Sequence, residues 1–248
     1  MTSVARPSEL RAVLFDLDGV LIDTEAAVLS LWRRIVDQQG VAVTEQALRD
    51  QVLGYAPEHS VDSLLGRLAP QGREAVLDEI RSAEKGLGFE ISPGASVLLR
   101  ALLAAHVPLA LVTGASRERV ARVSQSLPEL RSFEALVTWG EPARGKPHPD
   151  PYLLAAERLG VHPGHCAVVE DAPSGVRSAV AAGAPCIGIA SGADGAALRL
   201  SGAAAVVPAL SEISVRPAAQ GRVELLVAGT VMSIIHGCTR RKEAAAWR

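Results

Sequence analysis

The chain has 248 residues, 48% of them hydrophobic and 21% charged, with a formal net charge of -2 at pH 7. That mix is an ordinary globular one able to bury a sizeable core, and the length suits one large domain or a core carrying a smaller one. The charge argues against a nucleic-acid partner, which would need a basic face, and three widely spaced cysteines (Cys166, Cys186, Cys238) form neither a disulfide framework nor a metal spacing, so a reducing cytoplasm is expected.

No long apolar stretch precedes Arg11, so no signal peptide is expected. The run Ala12–Phe15 reads as a buried strand, followed at once by Asp16-Leu17-Asp18-Gly19. From Thr24 to about Leu87 the pattern turns helical. Val28, Leu31, Trp32 and Ile35 fall at helical spacing, and further helices are expected at 45–52, 60–68 and 73–87. Ser92-Pro93-Gly94 then breaks the chain. Strands are expected at 108–112, 135–138, 166–169, 185–189 and 204–207, with helices between them at 97–105, 117–127, 151–159 and 175–182. Such alternation predicts an α/β fold, a parallel sheet covered on both faces, with the helical segment inserted as a cap. The expected division is a core of 1–22 and 91–215, a cap of 23–90, and a tail of 216–248. The tail fits the alternation poorly: 223–227 reads as an added edge strand and 237–248 as basic and loose. Its most apolar part, 225–235, is too short to cross a bilayer, which takes ~20 residues.

The chemistry gathers at the strand ends. Asp16 and Asp18 stand at i and i+2, so both can look into one crevice beyond the carboxyl edge of a sheet, and Gly19 relieves crowding where the chain turns away. Thr113-Gly114 offers a hydroxyl and close backbone N–H groups to an anion. Lys146 is presented by Gly145-Lys146-Pro147-His148-Pro149, a loop stiffened by prolines. Glu170-Asp171 follows the apolar run Cys166–Val169. Taken singly, each has a plain structural alternative: a strand-end turn, a helix cap, a solvated lysine, a capping acid. Together they supply two carboxylates for attack and proton transfer, a hydroxyl, a lysine and an acidic metal pair. Those are the needs of phosphoryl transfer, and hard oxygen ligands with room for water and phosphate suit Mg²⁺.

Asp16-Leu17-Asp18-Gly19-Val20-Leu21-Ile22-Asp23 resembles the first motif of the haloacid dehalogenase superfamily, and Thr113, Lys146 and Glu170-Asp171 resemble its other three, in order, over roughly residues 10–210. The resemblance implies a Rossmann-like doubly wound sheet, with 23–90 similar to the helical cap placed after the first motif. It implies that Asp16 attacks phosphorus to give an aspartyl phosphate and that Asp18 protonates the leaving alkoxide and then activates water. Thr113 and the Gly114 amide would bind the phosphoryl oxygens, and Lys146 would balance charge beside Asp16. Magnesium would sit on Asp16, the Asp18 backbone carbonyl and Asp171, with Glu170 close by.

Within that family, Asp18 argues against dehalogenation, which has no alkoxide to protonate. The β-phosphoglucomutases are similar to this chain but carry a cap histidine where Val28 stands and a cap arginine at about Pro57. A Mg²⁺-dependent phosphatase acting on a small sugar or polyol phosphate is therefore the expectation, ahead of a β-phosphoglucomutase-like phosphotransferase or a phosphoglycolate phosphatase. The protein would be a cytoplasmic monomer or homodimer without nucleic-acid or membrane partners. Glu25, Trp32, Tyr55 and His59 are the cap candidates for contacting substrate, each with packing or surface as its alternative. A non-catalytic phosphate-binding regulator is disfavoured because no motif acid is missing. A dehydrogenase lacks Gly-x-Gly-x-x-Gly after the first strand, and a serine hydrolase lacks its Gly-x-Ser-x-Gly elbow.

Overall fold

The computed structural model describes residues 9–219 and 222–236. The apolar runs become strands: β1 (Glu9–Leu10), β2 (Ala12–Phe15) and β3 (Ile22–Asp23) precede four helices, α1 (Glu25–Gln38), α2 (Glu45–Val52), α3 (Pro57–Leu65) and α4 (Pro70–Glu84). Then come β4 (Glu90–Ile91), α5 (Ala95–Ala104), β5 (Leu109–Val112), α6 (Arg117–Ser126), β6 (Ala135–Val137), α7 (Asp150–Leu159), β7 (Cys166–Glu170), α8 (Pro173–Ala181), β8 (Cys186–Ile189), α9 (Gly192–Leu200) and β9 (Ala205–Val207).

Six of these strands form a wholly parallel sheet in the order β6-β5-β2-β7-β8-β9. Its central strands are buried at every position, as expected of a sheet with both faces covered. The two-residue period of a strand sorts β2 between two apolar layers. Val13 and Phe15 pack with Leu98, Leu102, Val120 and Val123 on one side. Ala12 and Leu14 pack with Tyr152, Ala155 and Val176 on the other. From β2 the sheet grows outward through β5 and β6, then crosses back to β7 on the other flank. The strand order reverses at β2, and the crevice beyond its carboxyl end is the expected ligand position of such a sheet.

β3 and β4 pair antiparallel, so the chain leaves for the helical insertion and returns from it side by side. Ser92 N–H donates to the Leu21 carbonyl at 3.0 Å just beyond that pair. The insertion has an apolar cluster of its own, built on Trp32, Ile35, Leu48, Val61, Leu65, Val76 and Ile80. Thr44 caps α2 by accepting from Ala47 N–H, while Pro57 and Pro70 open α3 and α4 with a pre-set φ.

The chain beyond the parallel sheet departs from expectation. β10 (Ile213–Pro217), β11 (Arg222–Val227) and β12 (Thr230–His236) form an antiparallel meander, and β12 pairs in parallel with β1. The 223–227 strand therefore lies in a separate four-stranded sheet, not at the edge of the large one. Ile213, Val223, Leu225, Val227 and Ile235 join Leu10 in the same apolar layer as α5, so this segment covers core surface. Residues 237–248, read from sequence as basic and loose, lie outside the described residues.

Candidate active site

Asp16 follows directly on β2, and its backbone N–H donates to Val169 on β7 at 3.1 Å. Its carboxylate is buried against Lys146, with Nζ 2.9 Å from Oδ1. Lys146 is 7% exposed, so it is no solvated surface lysine. Its ammonium also lies 2.6 Å from Glu170 Oε1 and donates to the Val112 carbonyl at the end of β5, 3.1 Å away. One cation thus ties together the ends of β2, β5 and β7. Burial works against its charge, but Asp16 and Glu170 outweigh burial and hold it above the ordinary lysine value.

The two acids at the end of β7 divide their tasks. Glu170 is satisfied by protein donors: the Tyr152 hydroxyl at 2.5 Å, Lys146, and the Asp171 and Ala172 N–H groups. Asp171 differs, because its Oδ1 is buried with no hydrogen-bond partner among the described residues. Oxygens of Asp16, Glu170 and Asp171 come within 4.8 Å of one another. Burial first, and then the neighbouring carboxylates, push Asp16 up to about 7 and Asp171 well above its ordinary value. Gly19, at φ +74°, leaves the necessary room, since a Cβ there would stand 1.8 Å from Asp171 Oδ2. A crowded oxygen-only cluster with an unpartnered buried oxygen fits a hard divalent cation. The Asp18 carboxylate, expected from sequence in the metal set, does not join this cluster.

The Asp18 carboxylate is anchored elsewhere. Its Oδ1 accepts from the Thr24 hydroxyl at 2.6 Å and from Arg119 Nη2 at 2.5 Å. Arg119, on α6, is buried and also pairs with Glu84 at the end of α4, 3.5 Å away. Thr113 follows directly on β5, its hydroxyl accepting from Ala115 N–H at 3.0 Å, and Gly114 lies exposed on the same cleft.

The cleft between sheet edge and insertion measures about 1630 Å³ and is lined by Asp16, Asp18, Thr113, Gly114, Lys146 and Asp171, but not by Glu170. The four insertion candidates also line it, in different ways. Trp32 is buried in the insertion's own core, and Glu25 is ion-paired with Arg49. Tyr55 and His59 stack with ring centroids 4.1 Å apart, and the Tyr55 hydroxyl accepts from Arg177 at 2.9 Å. Sequence reasoning passed over Tyr152, Thr24, Arg119 and Glu84 as site residues. Their partners lie far along the chain, except Thr24, whose place six residues after Asp18 was open to view.

The sequence matches the family model of haloacid dehalogenase-like hydrolases over residues 10–183. It is 36% identical to hexitol phosphatase A of Escherichia coli (strain K12) across 86% of this chain and 97% of that one. It is 33% identical to validoxylamine A 7'-phosphate phosphatase of Streptomyces hygroscopicus subsp. limoneus, covering 76% and 89%. Among solved structures, a putative beta-phosphoglucomutase from Bacteroides vulgatus superposes with a TM-score of 0.72 at 26% identity, covering 82% of this chain and 85% of that one. With four motifs converging on one sheet edge and a family match over most of its length, this chain belongs to the haloacid dehalogenase-like hydrolases.

Proposed function

We propose that this protein is a Mg²⁺-dependent phosphatase that hydrolyses a small phosphomonoester, a sugar or polyol phosphate, through an aspartyl phosphate. The observation that carries the reading is the separation of the two aspartates. Asp16 sits in the cluster beside Lys146, while Asp18 stands outside it with its Oδ1 held by Thr24 and Arg119. In this reading an Asp16 oxygen attacks phosphorus, the ester P–O bond breaks, and Asp18 gives its proton to the departing alkoxide. Water then attacks the phosphoryl group, Asp18 accepts its proton, and inorganic phosphate and the Asp16 carboxylate are regenerated. Thr113 and Gly114 bind the phosphoryl oxygens, and Lys146 favours the ionised form of Asp16 against burial and holds it in place. Asp16 and Asp171, with the Asp18 carbonyl, would hold the magnesium, while Glu170 is spoken for by Lys146 and Tyr152. When bound, the ion offsets the repulsion between an anionic ester and an anionic nucleophile.

Residues 23–90 act in this account as a cap over the core of 1–22 and 91–215, turning at the paired strands β3 and β4. Contacts across the cleft support it: Ser174 donates to the Gly54 carbonyl at 2.5 Å, and the Trp139 indole donates to Glu58 while Arg81 lies 5.1 Å over its ring. Gln46, Arg49 and Asp50 give the cap side a polar lining suited to a hydroxyl-rich leaving group. Val28 and Pro57 line the same cleft, and neither can hold a second phosphate, which counts against a phosphotransferase. A relative named hexitol phosphatase A and one from Thermotoga maritima named phosphorylated carbohydrates phosphatase support the substrate class. The buried free thiols of Cys166 and Cys186 suit a cytoplasmic setting, and no helix among the described residues is long and apolar enough to cross a membrane. Phosphate release from hexitol, hexose, glycerol and glycolate phosphates, with Mg²⁺ and with chelator, tests the reading. Turnover of none of them, and of no p-nitrophenyl phosphate, would overturn it.

A further inference from the structure

We infer that Arg119, backed by Glu84 of the helical insertion, is a positioning residue that sets the proton-transferring carboxylate of Asp18. The inference rests on the phosphatase reading above. Arg119 is 3% exposed, and a guanidinium removed from water requires compensating charge. Two carboxylates supply it from opposite sides of the cleft. Asp18 comes from the loop after β2, at 2.5 Å, and Glu84 from the last residue of α4, at 3.5 Å. Glu84 is itself held, accepting from the Ser116 N–H at the start of α6, 2.9 Å away.

The pattern at Asp18 gives the arrangement its meaning. Thr24 and Arg119 both bond Oδ1, which fixes the plane of the carboxylate and leaves Oδ2 for the leaving oxygen or the water. A clasp serving only to join insertion and core would do better with every polar atom paired. Here Arg119 Nε and Glu84 Oε2 are buried without partners among the described residues, while the guanidinium lies closer to Asp18 than to Glu84. The network also straddles the crossing between core and insertion. Thr24 immediately follows β3, and Glu84 precedes β4 by one short turn. Seating the insertion therefore completes the charge balance around Arg119, and with it the orientation of Asp18. The acid is set where the cleft is closed over substrate.

The discriminating experiment uses leaving groups. An alkoxide must be protonated as it departs, whereas p-nitrophenolate is stable enough to leave without a proton. Single-turnover rates of ester cleavage with Mg²⁺ are measured for hexitol or glycerol phosphate and for p-nitrophenyl phosphate, in wild type, Arg119→Met, Arg119→Lys and the double variant Arg119→Met with Glu84→Gln. General acid catalysis contributes roughly 10²–10⁴-fold, so Arg119→Met is expected to slow alkyl ester cleavage about a hundredfold, and at least tenfold more than aryl ester cleavage. Substrate affinity should stay within about twofold of wild type, and Arg119→Lys should recover part of the alkyl rate. The double variant removes both buried charges, so it makes the same comparison if the single variant fails to fold. Equal losses on the two esters, or no loss, would overturn the inference while leaving the phosphatase reading intact. Wild-type protein inactive toward both esters would overturn the reading, and the inference with it.

Discussion

Replacing Lys146 with methionine removes a cation that touches both Asp16 and Glu170, at 2.9 and 2.6 Å, and leaves its stem volume in place. At an effective dielectric near 20, each contact carries roughly 6 kcal/mol of Coulomb attraction before desolvation is charged against it. Burial offsets much of that, and breaking a buried pair by removing one partner has a net cost of about 3–5 kcal/mol. Denaturant unfolding of the metal-free variant should therefore show a loss of that size, a large fraction of ordinary domain stability. Adding Glu170→Gln should restore part of it, because one of the stranded acids is then neutral. Activity should behave differently. Loss of a preorganised charge at the reacting centre costs about 10²–10³ in kcat, and neutralising Glu170 does not return it. A single Lys146→Met variant within tenfold of wild-type kcat and within 1 kcal/mol of wild-type stability would refute the charge balance described here.

Three further outcomes follow from the geometry. Gly19→Ala puts a Cβ 1.8 Å from Asp171 Oδ2 at a residue with φ +74°, so half-saturating Mg²⁺ should rise tenfold or more in an activity titration; an unchanged titration would contradict Asp171 as a ligand. Gly54→Ala puts a Cβ 2.1 Å from the Ala172 Cβ, so the insertion should seat poorly and kcat/KM fall about tenfold with a smaller effect on melting temperature; wild-type kcat/KM would argue against closure at this contact. Burial raises Asp16 from 3.8 to about 7, so the folded metal-free protein keeps a proton that the unfolded chain has already lost, and its stability should fall as pH rises through that window, by at most about 4 kcal/mol. Mg²⁺ competes with that proton, so its thermal stabilisation should be larger at pH 8 than at pH 5; an equal shift at both would refute competition at Asp16.

Much of the fold was legible because its signals are local. The runs at Ala12–Phe15 and Leu109–Val112, and the Cys166–Val169 stretch of β7, are apolar and buried at every position, as a doubly covered strand requires. Glycine hid α9, which carries Gly192 and Gly195 and so lacks a clean helical period. The meander at 213–236 was misread because its pairing partner, β1, is two residues long and lies at the other end of the chain. At the site, Asp16 and Asp171 announce themselves by their place after strands. Lys146 gave no local sign of burial, and its partners are brought to it only by the parallel sheet. The same holds for Arg119, which meets an acid 101 residues away. Trp32 carries both readings at once: its helical spacing marked it as core, and it is buried in the insertion's cluster while also lining the cleft.

The central claim is that Asp16 carries the phosphoryl group. The direct measurement is rapid acid quenching during turnover with Mg²⁺, followed by mass spectrometry of the peptide containing residues 12–22. The account predicts a phosphorylated peptide with the modification on Asp16, and neither labelled peptide nor turnover in Asp16→Asn. Turnover that survives Asp16→Asn, or a phosphoryl group trapped on any other residue, would contradict it.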